Sequence, residues 1–162
     1  MTALARRVLV ALRRRRALSA SWQRLSKAER REFLLFVLLI PGITVALRTL
    51  GFRRTHAWLA AARLQPARSG QAHAREMSTR ALARARRYAP YRGNCLPQSL
   101  ALWGRLRQLG FDARLCLGAR IQNGEFGAHA WVELDRRVLN DGVAVRERFA
   151  AFEPTGSSHA AN

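Results

Sequence analysis

Cysteine and lysine are both scarce in the 162-residue sequence, which has two cysteines, Cys95 and Cys116, and one lysine, Lys27. A small secreted domain held by disulfides carries more cysteines on a shorter chain, so that class is excluded. No Cys-x-x-Cys or His-x-x-x-His pair occurs, which argues against a metal site built on paired ligands. We therefore expect two reduced thiols in a cytoplasmic protein, with no metal and no cofactor.

Acidic residues are scarce as well. Ten Asp and Glu stand against 29 Lys and Arg, which gives a formal net charge of +19. Such an excess predicts attraction to an anionic partner: nucleic acid, a membrane surface or an acidic protein. Nucleic-acid binding is therefore an alternative function, although no RNA- or DNA-reading motif accompanies the arginines, and we expect no nucleic-acid partner.

No apolar run is long enough for an ordinary membrane span. Residues 33–47 are fifteen uncharged residues interrupted by Pro41-Gly42, whereas a spanning helix needs about 20. This pattern favours a helix that lies on a membrane or is buried under a partner. The apolar run at 8–12 has only five residues and is too short for a secretory signal.

The first half of the chain has helical patterns. Ser26 and Glu29 have the capping-box spacing, which predicts a helix over 27–40 that is ended or kinked by Pro41. The predicted elements that follow are a helix over 52–64, a linker over 67–75 and a helix over 77–88.

The second half changes from helix to strand. A buried helix is predicted from Cys95 to Leu109, with Gly110 as its C-terminal glycine. Strands are predicted over 113–121, 128–134 and 138–141, joined by turns at 123–124 and 135–137. The fold class is α+β, an antiparallel sheet packed on a helix. We predict a helical basic N-terminal region over 1–75, a core over 76–153 and a flexible tail over 154–162.

Cys95 is the candidate nucleophile. If Asn94 caps the helix, Cys95 lies in the first turn, where the helix dipole and free amides stabilise a thiolate. The same amides could receive the oxyanion that forms after attack on a carbonyl. Asn94 and Gln98 are candidates for a further oxyanion donor.

His129 and Asp141 form the second part of the candidate site. Their midpoint is residue 135, in the predicted turn, so a loop with an odd number of residues would make them direct cross-strand neighbours. A carboxylate at that distance can hold an imidazole in one tautomer and stabilise its cation. A two-residue turn would instead direct the two side chains to opposite faces of the sheet.

The remaining candidates are assigned structural roles. Cys116 lies mid-strand among apolar neighbours and is interpreted as an inert thiol. Trp131 is interpreted as a core or site-wall residue. The three other histidines are expected to be solvated; they are His56, His73 and His159.

Residues 95–102, 127–133 and 138–141 together resemble the lasso peptide leader peptidases. These are stand-alone proteases of a split maturation enzyme, within the transglutaminase-like cysteine protease superfamily. The N-terminal helices, through residues 25–31 and 52–54, are similar to the family more loosely. Gln98 is a departure, since arginine is common there in the family.

The resemblance implies a transglutaminase-like (papain-like) core and a catalytic triad. Cys95 would be the nucleophile, His129 the general acid/base and Asp141 the orienting carboxylate. The implied activity is removal of the leader from a lasso precursor peptide, which frees the core α-amine for ring closure by a separate ATP-dependent cyclase. An acyltransferase with the same triad is the alternative.

The implied partners are the precursor, a separate leader-recognition protein and the cyclase. The net charge adds an expectation of its own: the basic, apolar N-terminal helices are a candidate docking surface for a partner, the precursor or a membrane.

Overall fold

The computed structural model describes residues 22–61, 71–88 and 94–152. The predictions for residues 8–12 and for the tail over 154–162 lie outside this part of the chain. The helices are α1 (Lys27–Thr49), α2 (Gly51–Ala60), α3 (Gln71–Tyr88), α4 (Cys95–Gln108) and the short α5 (Val145–Arg148), and the strands are β1 (Arg114–Gln122), β2 (Glu125–Leu134), β3 (Arg137–Val138) and β4 (Ala150–Phe152). The strands pair antiparallel in the order β3-β2-β1-β4, so the α+β class is confirmed.

The start of α1 matches the prediction and its end does not. Ser26 and Glu29 form the capping box, in which the backbone N–H of each residue donates to the side chain of the other residue. The predicted end or kink at Pro41 is wrong as an end, since the helix continues to Thr49. Proline removes an N–H donor and its ring crowds the carbonyl four residues earlier, while Ile40 and Ile43 on either side are about 1% exposed. Tertiary packing of this face therefore outweighs the local cost of the proline.

The two helices that follow differ from their predicted bounds. The helix predicted over 52–64 is α2, Gly51–Ala60, and residues 62–64 lie outside the described part. The helix predicted over 77–88 begins at Gln71, so the predicted linker over 67–75 is wrong from residue 71 onward. Alanine, glutamine, arginine and glutamate at the start of this segment are good helix formers, which explains the longer helix.

One hydrophobic cluster joins the helices to the sheet. Phe36 of α1, Leu100 and Leu106 of α4, and Val132 of β2 are all fully buried in it. Glu32 of α1 adds a buried polar link, since its carboxylate accepts hydrogen bonds from Arg105 of α4 and Ser78 of α3. These contacts hold α4 against α1 and against β2 of the sheet. The division of the chain at residues 75 and 76 stays a prediction.

The end of α4 and the first hairpin turn follow their local sequence. Gly110 has φ +86°, and the backbone bonds from Gly110 to Arg107 and from Phe111 to Leu106 form a Schellman motif. The turn at Asn123-Gly124 has φ of 54° and 78°, the left-handed geometry of a two-residue hairpin. Both predictions are confirmed.

The hairpin between β2 and β3 departs from the prediction. Its loop has two residues, Asp135 and Arg136, both with positive φ, and Glu133 pairs with Val138. The numbers of two paired residues therefore sum to 271, whereas direct pairing of His129 with Asp141 would require 270. The prediction of a loop with an odd number of residues is wrong. A two-residue left-handed turn matches the twist of the strands, which favours this register. The third strand is two residues long rather than 138–141, and α5 and β4 were not predicted.

Candidate active site

Where the short strand β3 no longer covers the edge of β2, side chains bind the backbone of β2. The N–H of Val132 donates to Asn140 Oδ1 at 2.8 Å. Asn140 Nδ2 donates to Ser99 Oγ at 2.9 Å, and that hydroxyl donates to the Ala130 carbonyl at 2.8 Å. This Ser99–Asn140 network connects α4, β2 and the segment after β3. The network supplies hydrogen-bond partners to the Val132 N–H and the Ala130 carbonyl, which a neighbouring strand would otherwise have to provide.

The structure brings His129 and Asp141 together. Asp141 Oδ2 lies 2.5 Å from His129 Nε2, and each side chain is about one fifth exposed. The contact exists although the cross-strand register predicted for it is wrong. Because the last backbone hydrogen bond to β2 is the one from the Leu139 N–H to the Val132 carbonyl, strand alternation no longer decides where Asp141 points. Nε2 faces the carboxylate, so Nδ1 is the ring nitrogen left for a reacting group.

The surroundings of Asp141 favour its charged form. Partial burial opposes ionisation, but hydrogen bonds from His129 and from the Gly142 N–H, with the positive charge of Arg148, lower the pKa of this carboxyl. Asp141 is therefore a carboxylate at neutral pH. A carboxylate in this position stabilises the imidazolium that forms when His129 takes a proton.

Two aromatic rings lie roughly parallel to the imidazole of His129. His129 stacks on Phe149 with ring centroids 4.9 Å apart and lies 6.3 Å from Trp131. Trp131 is fully buried, and its Nε1–H donates to Glu133. Sequence reasoning missed Phe149, because it follows β3 in a stretch without clear periodicity. The site-wall role of Trp131 stays a prediction.

Cys95 is the first residue of α4 and is partly buried. Ser99 follows it by four residues on the same helical face, about 6 Å along the axis. The bond from Ser99 to the Ala130 carbonyl sets this face against β2, beside His129. Cys95 thus lies at the end of the helix that Ser99 joins to Ala130, the neighbour of His129 in β2. Contact between the thiol and the imidazole stays a prediction.

The two polar candidates beside Cys95 differ in position. Asn94 is the N-cap residue, with extended backbone at φ −64° and ψ 163°, but its exposed side chain makes no capping hydrogen bond. Gln98 is partly buried. Pro97 has no N–H, so the amides that α4 offers to an oxyanion in its first turn are those of Cys95 and Leu96. The oxyanion roles of both side chains stay predictions.

Two other groups contrast with the candidate site. Burial, together with the negative charge of Glu133, raises the pKa of Cys116 to about 11, which supports its interpretation as an inert thiol.

His56 is not solvated as predicted: its ring stacks on Trp103 with the centroids 4.4 Å apart, and burial lowers its pKa. His73 is exposed, and His159 lies outside the described residues. Within the described ranges, no group of three or more His, Cys, Asp or Glu could hold a metal.

Cys116 is expected to react slowly with a thiol reagent at pH 8. With a pKa of about 11, roughly one thiol in a thousand is ionised at that pH, and the thiolate is the reactive form. In the Cys95→Ala variant, the rate of iodoacetamide labelling should rise steadily between pH 8 and pH 11, as followed by intact mass. A plateau below pH 9 would contradict the buried environment described for this thiol.

Ser99→Ala is expected to lower the free energy of unfolding by about 1–3 kcal/mol. The reason is that Asn140 Nδ2 and the Ala130 carbonyl each lose a buried partner. Urea unfolding measures the change. Thr49→Ala is the matched control, since it removes an exposed hydroxyl that bonds only within its own helix, and it should cost less than about 0.5 kcal/mol. Equal costs for the two variants would contradict a special role for the network.

Comparison with known proteins identifies the class. A family model of the transglutaminase-like superfamily matches residues 37–153, and the chain belongs to this superfamily, as its motifs predicted. Among curated proteins, it is similar to the microcin J25-processing protein McjB of Escherichia coli, with 34% identity over 62 residues. That match covers 38% of this chain and 29% of McjB, so the chain spans less than a third of its relative. No solved structure matches.

Proposed function

We propose that this protein is a cysteine peptidase that removes the leader from a ribosomally made lasso precursor peptide. The observation that carries the proposal is the His129–Asp141 pair, connected through Ser99 to the helix that begins at Cys95. In a transglutaminase-like chain, a thiol that reaches this imidazole–carboxylate pair would complete a site suited to acyl chemistry.

The proposed reaction proceeds in two steps. The Cys95 thiolate attacks the scissile carbonyl carbon, and His129 gives its proton to the departing core-peptide amine, which leaves a thioester between Cys95 and the leader. Water then attacks the thioester with His129 as general base, so the leader acid departs and the thiol is restored. Asp141 holds the imidazole and stabilises its cation throughout.

The relative supports the substrate class. McjB carries the name of a microcin J25-processing protein, and processing of a peptide precursor is what the sequence resemblance implies for this chain. We extend the proposal to the partners that the resemblance implies: a separate leader-recognition protein, and an ATP-dependent cyclase that uses the freed α-amine. Two free cysteines are compatible with a cytoplasmic reaction.

The test is mass spectrometry of precursor peptide incubated with the purified protein, with and without the leader-recognition protein. Free leader and free core peptide as two products would support hydrolysis. A leader–acceptor adduct with no free leader would overturn hydrolysis in favour of acyl transfer, because only the acceptor that reaches the thioester differs. Intact precursor in both reactions would contradict both activities.

A further inference from the structure

The outward side of α1 and α2 is an apolar face that no described residue covers. Its members are exposed as follows: Leu38 74%, Trp58 63%, Val45 59%, Leu50 51% and Leu34 46%. Between them runs a groove of about 580 Å³ whose lining residues are all apolar, among them Leu39 and Gly42. Monomeric soluble proteins rarely expose large apolar side chains in such a contiguous group, which marks this face as a contact surface.

The other side of α1 is anchored in the domain. Phe36, Ile40 and Ile43 are at most 1% exposed, and Glu32 is held by Arg105 and Ser78. By length and composition, α1 is long and apolar enough to cross a membrane, and 28% of its most apolar window is buried inside the protein. Crossing would require this helix to leave the core and break the Glu32 contacts. A membrane can therefore be met only by the outward face, with the helix lying along it.

Arginines bracket the apolar face at both ends. Arg31 precedes Leu34 by three residues and Arg48 follows Val45 by three, so each lies on the same helical side as its neighbour. Arg54 stands four residues before Trp58 on α2, in the same relation. All three arginines are exposed and have no ion-pair partner in the part of the chain that the structure describes.

We propose that this apolar face docks the protein on an anionic lipid surface. Apolar side chains enter the boundary between headgroups and acyl chains, while flanking arginines reach lipid phosphates and an indole lies at the interface. A lipid surface fits better than a protein partner because, from Leu34 to Val45, this face offers no charged group that would select one partner. The net charge of +19 adds long-range attraction to the same surface. The proposal is independent of the peptidase chemistry.

The experiment is flotation of the full-length chain with vesicles of phosphatidylcholine alone or with 30% phosphatidylglycerol. We expect at least tenfold stronger binding to the vesicles that contain phosphatidylglycerol, and weaker binding in high salt. The double variant Leu38→Glu/Val45→Glu should lower that binding at least tenfold. The matched control is Ile121→Glu/Phe126→Glu, which adds the same two charges at exposed apolar residues of the β1–β2 hairpin, and it should stay within twofold of the wild type.

Several outcomes would overturn the proposal. Equal binding to both vesicle types, or equal loss in both double variants, would mean that the face does not recognise anionic lipid. A dimer seen by sedimentation velocity and lost in Leu38→Glu/Val45→Glu would assign the face to a second copy. A complex with the leader-recognition protein lost in that variant, with lipid binding unchanged, would assign it to that protein. Leu38→Ser/Val45→Ser replaces the glutamate variant if circular dichroism shows that the latter is unfolded.

Discussion

Cys95→Ala is expected to abolish cleavage of the precursor while the fold is kept. Cys95 is the first residue of α4, and its sulfur is the only atom of the candidate site proposed to form a bond with the substrate carbonyl. A methyl group in its place cannot form the acyl intermediate, so turnover should fall by at least about 10⁴-fold. The measurement is the rate at which leader appears in the mass spectrum, with thermal unfolding as the check on folding.

Cys116→Ser is the matched control for that loss. Cys116 is the other free thiol and lies in β1, opposite Trp131. Because burial raises its pKa to about 11, its loss should leave turnover within a few-fold of the wild type. Activity that survives Cys95→Ala and disappears in Cys116→Ser would mean that the wrong thiol has been assigned.

Asp141→Asn is expected to lower turnover by about 10⁴-fold, the loss seen when the orienting carboxylate of another triad becomes an amide. The amide carries no charge to stabilise the imidazolium and can hold His129 in the wrong tautomer. Folding should be largely kept, because an amide oxygen can still accept the Gly142 N–H at the position of Oδ1. Turnover is measured at saturating precursor, with circular dichroism to verify the fold.

Asp135→Asn is the control for the loss of one negative charge. Asp135 lies exposed in the turn between β2 and β3 at φ +49°, a conformation that asparagine tolerates well. It should therefore retain full activity and stability. A similar fall in both variants would indicate a general effect of charge rather than a role for the His129–Asp141 pair.

The lowered pKa of Asp141 also fixes the sign of a pH effect. A carboxyl whose folded pKa is depressed contributes stability above its unfolded value of about 4, and loses it as pH falls through the folded value. Wild type should therefore lose stability relative to Asp141→Asn as the solution is acidified below about pH 4. A constant difference between the two proteins from pH 7 to pH 2 would contradict the shift.

The register of the second hairpin illustrates the limit of pattern reasoning. A loop with an odd number of residues was expected to make His129 and Asp141 direct cross-strand neighbours. The loop instead has two residues, and the numbers of paired residues sum to 271 rather than 270. The side chains meet because the backbone pairing with β2 ends at Leu139 and the Asn140 side chain then binds the Val132 N–H. Strand periodicity holds only while the ladder continues, so the right contact was predicted for the wrong reason.

Helix α1 shows the same limit at Pro41. Locally, proline followed by glycine is a strong helix stop, and an end or a kink of the helix was predicted there. Burial of Ile40 and Ile43 against the rest of the core outweighs that local preference. No window of a few residues contains this information, because α1 packs against α3 and α4, which lie beyond the next helix in the chain.

By itself, the sequence determined what depends on near neighbours. The capping box at Ser26, the glycine that ends α4, the Asn123-Gly124 turn and the motifs that assign the chain to its superfamily are all legible within a few residues, because each is a local steric or hydrogen-bonding requirement. The tertiary structure alone decided which helix end meets which edge of β2, through Ser99, Ala130 and Asn140. It also decided which face of α1 stays outside, since both depend on contacts between residues far apart in the chain.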